Sequence, residues 1–494
     1  MSRWRVGPFG LLAALVGGIL VGDHLTPSAG VAAFGISGAL VLVSAVLRSS
    51  AIRAALILAV VATLGIGLTQ RAHRGLFESP LSAAITARAD AVVRAALVED
   101  PDGTRFSTRA LVRVDRVQVR GRPWREAGGV HALAIADDDA APRLAVLEAG
   151  DLVTLRGWLR PLEPYDERFR WRHAVGRFDA HTLTAFEGPR SPWMRMANTV
   201  RNLVLSGTAT LPPSERALVA GFLLGDTRGL PDDVLERFRA AGLSHLLAVS
   251  GANVAFTLGL IAPLLRRAPR GLRLAATLAT LFVFGAMTRW EPSVLRACAM
   301  AACAVVAVHV GRPARATRVL ALAVGGLLLL DPFLVHSVGF QLSCGASLGI
   351  ALLAAPIAST LRGPAWFRES FATTAAAQLG VAPVLLPVFG SMPLVALPAN
   401  LLAVPIAGPL TMWGLVGGVV GGSLRPVASS LVTIVQLPTR LMADAMLGIA
   451  DGAARVPFAV DLPLALACAA IAALMFLARR GRMLRRDALV VPSR

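Results

Sequence analysis

His245-Leu-Leu-Ala-Val-Ser-Gly-Ala-Asn-Val-Ala-Phe-Thr-Leu-Gly-Leu-Ile-Ala-Pro-Leu-Leu265 has the length of a bilayer-spanning helix, roughly 20 residues, and ends against Arg266-Arg267. Its first half holds Ser250, Gly251 and Asn253. A polar, glycine-containing interruption at membrane depth survives only where protein or water covers the loosened backbone. The segment therefore reads as a spanning helix broken on purpose, inside a larger bundle.

Working outward, apolar runs recur at 274–288, 295–310, 319–331, 334–356, 371–389, 394–420, 429–449 and 463–479, and before them at 9–22, 29–47 and 51–69. Composition agrees: 55% of the 494 residues are apolar, with a mean hydropathy of +0.64, too high for an ordinary soluble core. All 49 basic residues are Arg, which against 30 acidic residues leaves a formal charge of +19. That excess fits a polyanionic partner, and equally the cytoplasmic Arg by which any multi-span protein orients itself. Applied to the loops, the second rule puts Arg3, Arg5, Arg48, Arg53, Arg266 to Arg273, Arg312 to Arg318, Arg362 to Arg368, Arg425 and Arg479 to Arg486 inside. The count is about twelve spans with both termini cytoplasmic and residues 75–190 outside, despite Arg71 and Arg74.

Residues 75–190 follow a different period. Arg109-Ala-Leu-Val-Arg-Val-Asp-Arg-Val-Gln-Val-Arg120 and Asp151-Leu-Val-Thr-Leu-Arg-Gly-Trp-Leu-Arg160 alternate apolar with polar, the pattern of half-buried strands. The expected fold is thus a polytopic α-helical membrane protein with an inserted small extracytoplasmic β domain, barrel-like. Its divisions are N-terminal transmembrane helices (1–74), the β domain (75–190), amphipathic and connecting helices (191–242), a second transmembrane domain (243–480) and a cytoplasmic tail (481–494).

Polar groups recur at membrane depth: Ser250, Gly251 and Asn253, Gln341 beside Ser343 and Gly345, Gln378 and Asn400, with Pro383, Pro387, Pro398, Pro405 and Pro409 punctuating two further segments. They line an aqueous path, with Arg289 and Arg296 of an outer turn at its mouth, or they hydrogen-bond neighbouring helices. Taken together they favour a channel or transporter. Ala248-Val-Ser-Gly251 is similar to the Gly-x-Ser-Gly of intramembrane serine proteases, with His336 as the base, but its first glycine is Ala. His245 reads as a boundary residue. Cys298, Cys303, Cys344 and Cys468 form no CxxC pair, and no metal cluster, Walker loop or dinucleotide fingerprint occurs, so no metal or cofactor is expected. Tyr165-Asp-Glu-Arg-Phe-Arg-Trp-Arg-His173 interleaves cations with rings. Arg168, Arg170, Arg172 and Trp171, with Trp158 and Trp124, suit single-stranded DNA, and suit equally a basic membrane-proximal face with partly buried rings.

Gly225-Asp-Thr-Arg-Gly-Leu-Pro-Asp-Asp-Val234, leading through Phe238 to Val254, resembles the signature of the ComEC family of competence DNA-uptake channels. So do Pro292-Ser-Val-Leu-Arg-Ala297 with Met300, Asp331-Pro-Phe333 with Val338 to Ser343, and Asn400 to Pro405, in the family's order over residues 213 to about 480. Gly150 to Gly157 resembles part of the family's OB-type domain. The resemblance implies a plasma-membrane channel that passes single-stranded DNA inward, with an outer OB-like domain contacting DNA. It further implies a DNA receptor and a cytoplasmic DNA-translocating ATPase as partners. Where the signature often carries His, this chain has Asn253. Many members end in a metallo-β-lactamase-like nuclease domain, which this sequence lacks, so a separate nuclease is expected and enzyme activity is not. Two other classes stand beside the channel: a transporter of another anionic or lipid-linked substrate, and an intramembrane serine hydrolase.

Purified protein supplied with magnesium, manganese or zinc is expected to leave DNA intact on a gel. Cleavage that a single substitution abolishes would refute that expectation.

Overall fold

The computed structural model describes residues 7–26, 29–46, 49–103, 107–137, 139–425, 428–456 and 459–461. Arg3, Arg5, Arg48, the expected last span at 463–479 and the tail lie outside them. Three helices open the chain, α1 (Pro8–Asp23), α2 (Ala29–Val46) and α3 (Ser50–Phe77). α1 and α3 approach backbone to backbone, because a Cβ on Gly65 would come within 2.6 Å of the Leu15 carbonyl oxygen. Without a hydrophobic drive between helices in lipid, such close contact and polar pairs such as Ser37 with Thr63, 2.6 Å apart, supply the adhesion.

After the short α4 (Ser82–Thr86), the chain forms β1 (Asp90–Leu97), β2 (Asp102–Gly103), β3 (Thr108–Val119), β4 (Arg125–Ala136), α5 (Ala140–Ala145), β5 (Leu152–Arg160) and β6 (Ala174–Glu187). The strands run β1-β5-β6-β4-β3, and β1 also pairs with β3, so five strands close on themselves. β4 and β6 are parallel and the other pairs of that ring antiparallel. That is the Greek-key closure of an OB barrel. Alternation produces it: Val93, Ala95, Val112, Val114, Val153, Leu155, Leu159 and Phe178 point inward and are buried. Gly157 is needed where β5 slips register against β6, since a Cβ there would sit 1.8 Å from the Asp179 carbonyl oxygen.

The remainder is helical: α6 (Pro192–Gly207), α7 (Pro213–Leu224), α8 (Asp232–Ala240), α9 (Ser244–Leu247), α10 (Gly251–Leu265), α11 (Arg270–Met287), α12 (Pro292–His309), α13 (Ala316–Leu330), α14 (Val338–Thr360), α15 (Ala365–Phe389), α16 (Ala396–Leu424) and α17 (Ser429–Ala454). Six described helices, α3, α11, α12, α14, α15 and α16, are long and apolar enough to cross a membrane; α1, part of α2, α10 and α13 are shorter apolar helices. The expected count of about twelve is not reproduced among the described residues. α17 falls short because Arg440, Asp444 and Asp451 lie along it. The break expected at Ser250 is present, as extended backbone at φ −98° and ψ 165°. The others are not: α14 runs unbroken through Gln341 to Gly345, α15 through Pro383 and Pro387, and α16 through Pro398, Pro405 and Pro409. Neighbouring helices and local adjustment let membrane helices absorb such residues.

α6, the first of the expected amphipathic and connecting helices, is clamped to α16. A Cβ on Gly207 would meet the Gly418 carbonyl oxygen at 2.0 Å, and one on Gly422 the Leu203 carbonyl oxygen at 2.2 Å. Gly207→Val is expected to part the two helices and cost about 1–3 kcal/mol as overpacking, lowering the Tm of the detergent-solubilised protein. Gly448→Ala, where a Cβ meets nothing within 4 Å, should leave the Tm level or raise it. Equal melting of the two variants would contradict this account of the clamp.

Candidate functional site

Three groups of side chains join the barrel to the helices or sit at the helix break. The first centres on Asp100, in the loop after β1. Arg201 of α6 reaches Asp100 at 2.9 Å and Asp226 at 2.8 Å. Arg289, in the α11–α12 turn, reaches Asp100 at 2.6 Å and donates to the Asn198 amide oxygen at 2.6 Å. Arg228 donates to both Asp226 oxygens, at 2.8 and 2.6 Å. Arg201 also donates to the carbonyls of Leu224 and Met287, the last residues of α7 and α11. Carbonyls at helix ends lack intrahelical donors and carry the negative end of the dipole, so a guanidinium there satisfies both needs. Burial pushes the Asp100 carboxyl up, but Arg201 and Arg289 outweigh it and hold the group below its usual range. Burial acts likewise on Asp226, where Arg228 prevails and the pKa is held at about 2.

The signature residues around this network are helix stops. Gly225 ends α7 at φ 73°, and the Gly225 and Asp226 N–H groups bond back to Gly221 and Ala220; a left-handed C-cap of this kind favours glycine. Arg289 and Trp290 hold positive φ without being glycine, at 57° and 54°. Each such residue costs of order 1 kcal/mol. The ion pair with Asp100 and the packing of Trp290 over Gly285, where a Cβ would meet its ring at 2.4 Å, hold the turn.

The second group is aromatic. The segment Pro164–Arg172 forms a 3-10 helix and sets the Trp171 ring on His336, centroids 3.8 Å apart. His73 and His336 present Nε2 to the two oxygens of Asp23 at 3.1 and 2.9 Å. His173 meets Asp331 at 3.1 Å. Phe333 packs edge-on to both Trp171 and His73. Trp171 thus has its ring on the helical domain. Arg170 lies over Phe77, and Arg172 pairs with Glu99 at 2.5 Å; Arg168 and Trp158 stay exposed. An OB barrel uses its second and third strands and the loops after strands one and four for ligands. Here the equivalents are β3, β4 and the loops holding Asp100 and Trp171, and both loops are turned onto the helices. The outer side of β3 and β4, at Leu111, Leu133 and Ile135, is covered by Phe169.

The third group is the helix break. α10 has 15 residues and is about 22 Å long, shorter than the roughly 30 Å hydrocarbon core. Were Arg266-Arg267 set at the interface, a helix of this length would start within the hydrocarbon core. Arg296 of α12, 6% exposed, lies against it: a Cβ on Gly251 would be 2.9 Å from Arg296 Nη2. Arg296 Nε donates to Ser343 Oγ at 2.8 Å, and Nη1 donates to Ser347 Oγ and to Met300 Sδ. No carboxylate pairs with it among the described residues. Burying an ion without a counter-charge costs several kcal/mol.

Of the expected path residues, the structure gathers Ser250, Gly251 and Arg296. Asn253, 5% exposed, donates to the Phe222 carbonyl at 2.7 Å. Asn400 donates to Ala396 of its own helix, and Gln341 to Val335. Gln378 is half-buried on α15. Arg289 and Arg296 are not neighbours at a mouth: one ties the barrel, the other faces the break. Ser250 Oγ donates to Asn253 while His336 faces Asp23, so the two are not joined as a serine–histidine pair. Sequence reasoning missed Asp100, Arg201, Asp226 and Arg228. Their one legible signal was a charged Gly225-Asp-Thr-Arg228 turn amid apolar residues.

A depressed carboxyl pKa in the folded state stabilises above its ordinary value of 3.8 and loses that contribution as pH falls toward about 2. Resistance of the barrel–helix junction to protease is therefore expected to stay level from neutral pH to about 5 and to drop below about 4. Asp226→Asn should shrink that acid step to the part Asp100 supplies and lower stability at pH 7 by about 2–5 kcal/mol. A variant with the unchanged acid profile would disprove the network's part.

The family model described as competence protein matches residues 222–483, more than half of the chain. ComE operon protein 3 of Bacillus subtilis (strain 168) is 27% identical over 258 residues, covering 52% of this chain and 33% of the relative. The chain thus spans about a third of the length of that curated relative. No solved structure matches. The matched region holds the Gly225 and Asp226 turn, the α10 break, Arg289 and Arg296, so family pattern and geometry coincide, and the chain belongs to the competence protein family.

Proposed function

We propose that the chain forms the channel by which one DNA strand crosses a bacterial plasma membrane during natural transformation, with the barrel on the outer face and the termini in the cytoplasm. The observation that carries it is the family match over residues 222–483. The geometry adds support: a strand bears one negative charge per nucleotide, and an apolar pore would impose a prohibitive desolvation cost. The α10 break offers polar backbone, serine hydroxyls and one guanidinium instead. Conduction also needs contacts weak enough to release the strand, and a single cation at the break meets that need better than a ring of them. The partners that fit are single-stranded DNA, a receptor that delivers it, a cytoplasmic ATPase that draws it in and a separate nuclease. Arg168 and Trp158 are the barrel residues open to the strand. In this reading Trp171 and Arg289 set the barrel in place, and Asn253, Gln341, Gln378 and Asn400 shape the walls.

A second reading, transport of a lipid-linked anion, has one observation in its favour. An apolar cleft of about 520 Å³ lies among α6, α10, α11 and α16, lined by Val204, Leu260, Val283 and Val419.

Deleting the gene in a transformable host and following labelled DNA should abolish internalisation while surface binding persists. Re-expression should restore it, and Gly251→Val, which drives a side chain into Arg296, should not. Normal internalisation in the deletion strain would defeat the channel and leave the lipid-linked substrate standing.

A further inference from the structure

The surroundings of Arg296 are unusual in hydrogen-bonding sign as well as charge. Arg296 is more than nine-tenths buried, and its Nη2 has no hydrogen-bond partner among the described residues, though it points at the first residue of α10. That helix starts without a side-chain cap, and the Gly251 and Ala252 N–H groups have no acceptor among the described residues. Ser343 and Ser347 accept from Arg296, which leaves their own O–H protons free to donate. The α10 dipole adds its positive end. The groups left without a partner around Gly251 thus include the Arg296 Nη2 donors, two hydroxyl protons and the first N–H groups of α10, and the charge that faces them is the guanidinium's.

We propose that Arg296, the Ser343 and Ser347 hydroxyls and the uncapped first turn of α10 form a binding site for one phosphodiester group. This rests on the channel reading above and gives it a substrate contact. A phosphodiester is acceptor-only, carries one negative charge, and presents two oxygens that suit a guanidinium and a helix N-terminus together. The site explains why α10 begins inside the membrane: an unbroken helix would have spent those N–H groups on its own carbonyls. It also explains Gly251, the one residue that leaves Nη2 uncovered. With a single guanidinium and no second cation, the site holds one phosphate at a time and releases it to the next.

Both a DNA strand and a lipid headgroup carry this chemistry, so the test separates them. The full chain in phosphate-free maltoside detergent is titrated with a fluorescent oligothymidylate, with the same oligomer bearing uncharged methylphosphonate links, and with inorganic phosphate as competitor. Wild type is expected to prefer the charged oligomer and to yield it to phosphate. Arg296→Gln should weaken charged-oligomer binding about tenfold or more and erase the preference. Ser343→Ala/Ser347→Ala keeps the charge and should weaken binding severalfold, which guards against misfolding of the arginine variant. Undiminished preference in Arg296→Gln would overturn the site, and displacement of the oligomer by phosphatidylglycerol at stoichiometric amounts would overturn its assignment to a strand and give it to lipid. In cells the two proposals come apart. Normal uptake in Arg296→Gln alongside no uptake in the deletion strain sinks the site and spares the channel. Uptake in both sinks the channel, while phosphate competition lost in Arg296→Gln would still uphold an anion site.

Discussion

Asp100 lies between two guanidiniums at the point where a barrel loop, α6, the Gly225 turn and the α11–α12 turn meet. Replacing such a buried network by apolar residues is often harmless, whereas removing one member leaves an uncompensated charge and costs about 3–5 kcal/mol. All the pieces must therefore be in position at once, which fixes the barrel on the helices. Both loops that an OB barrel would use for ligands are committed to this seam, one through Asp100 and one through Trp171. The edge that an OB barrel offers to ligands therefore lies against the helical domain.

Inside the membrane domain the opposite economy prevails. Helices touch through glycine where they must come close, and hydroxyls and amides turn back onto their own helix, as Asn400 does to Ala396 and Thr411 to Ala407. Polar side chains satisfied in this way do not mark a path by themselves. Arg296 is the exception, because its neighbours satisfy its hydrogen bonds in part and its charge not at all. Two arginines seven residues apart thus have different roles: Arg289 is neutralised and mechanical, Arg296 is unneutralised and open to an anion.

The barrel was legible because its signal is local: period-two runs at 109–120 and 151–160 became β3 and β5. The break at Ser250 was legible for the same reason, a polar Ser-Gly pair within one apolar run. Proline and glutamine misled, since a membrane helix keeps its path through Pro383 or Gln341 when neighbours cover the freed groups. The charge network was out of reach because its members lie far apart in sequence and only the fold selects Asp100 from 30 acidic residues. Trp171 shows the same limit: a ring among arginines reads alike for a base and for His336.

Asp100 and Arg289 are separated by 189 residues. During synthesis the barrel is complete well before its anchors exist, at elongation rates of about 5–20 residues per second. For that interval Asp100 lacks its Arg289 partner and Trp171 lacks its His336 partner. The full set of barrel contacts is therefore complete only once the α11–α12 turn and His336 are in place. A chain whose α11–α12 turn is misplaced would thus carry a folded barrel that is only partly anchored, a state that limited proteolysis distinguishes from the native one.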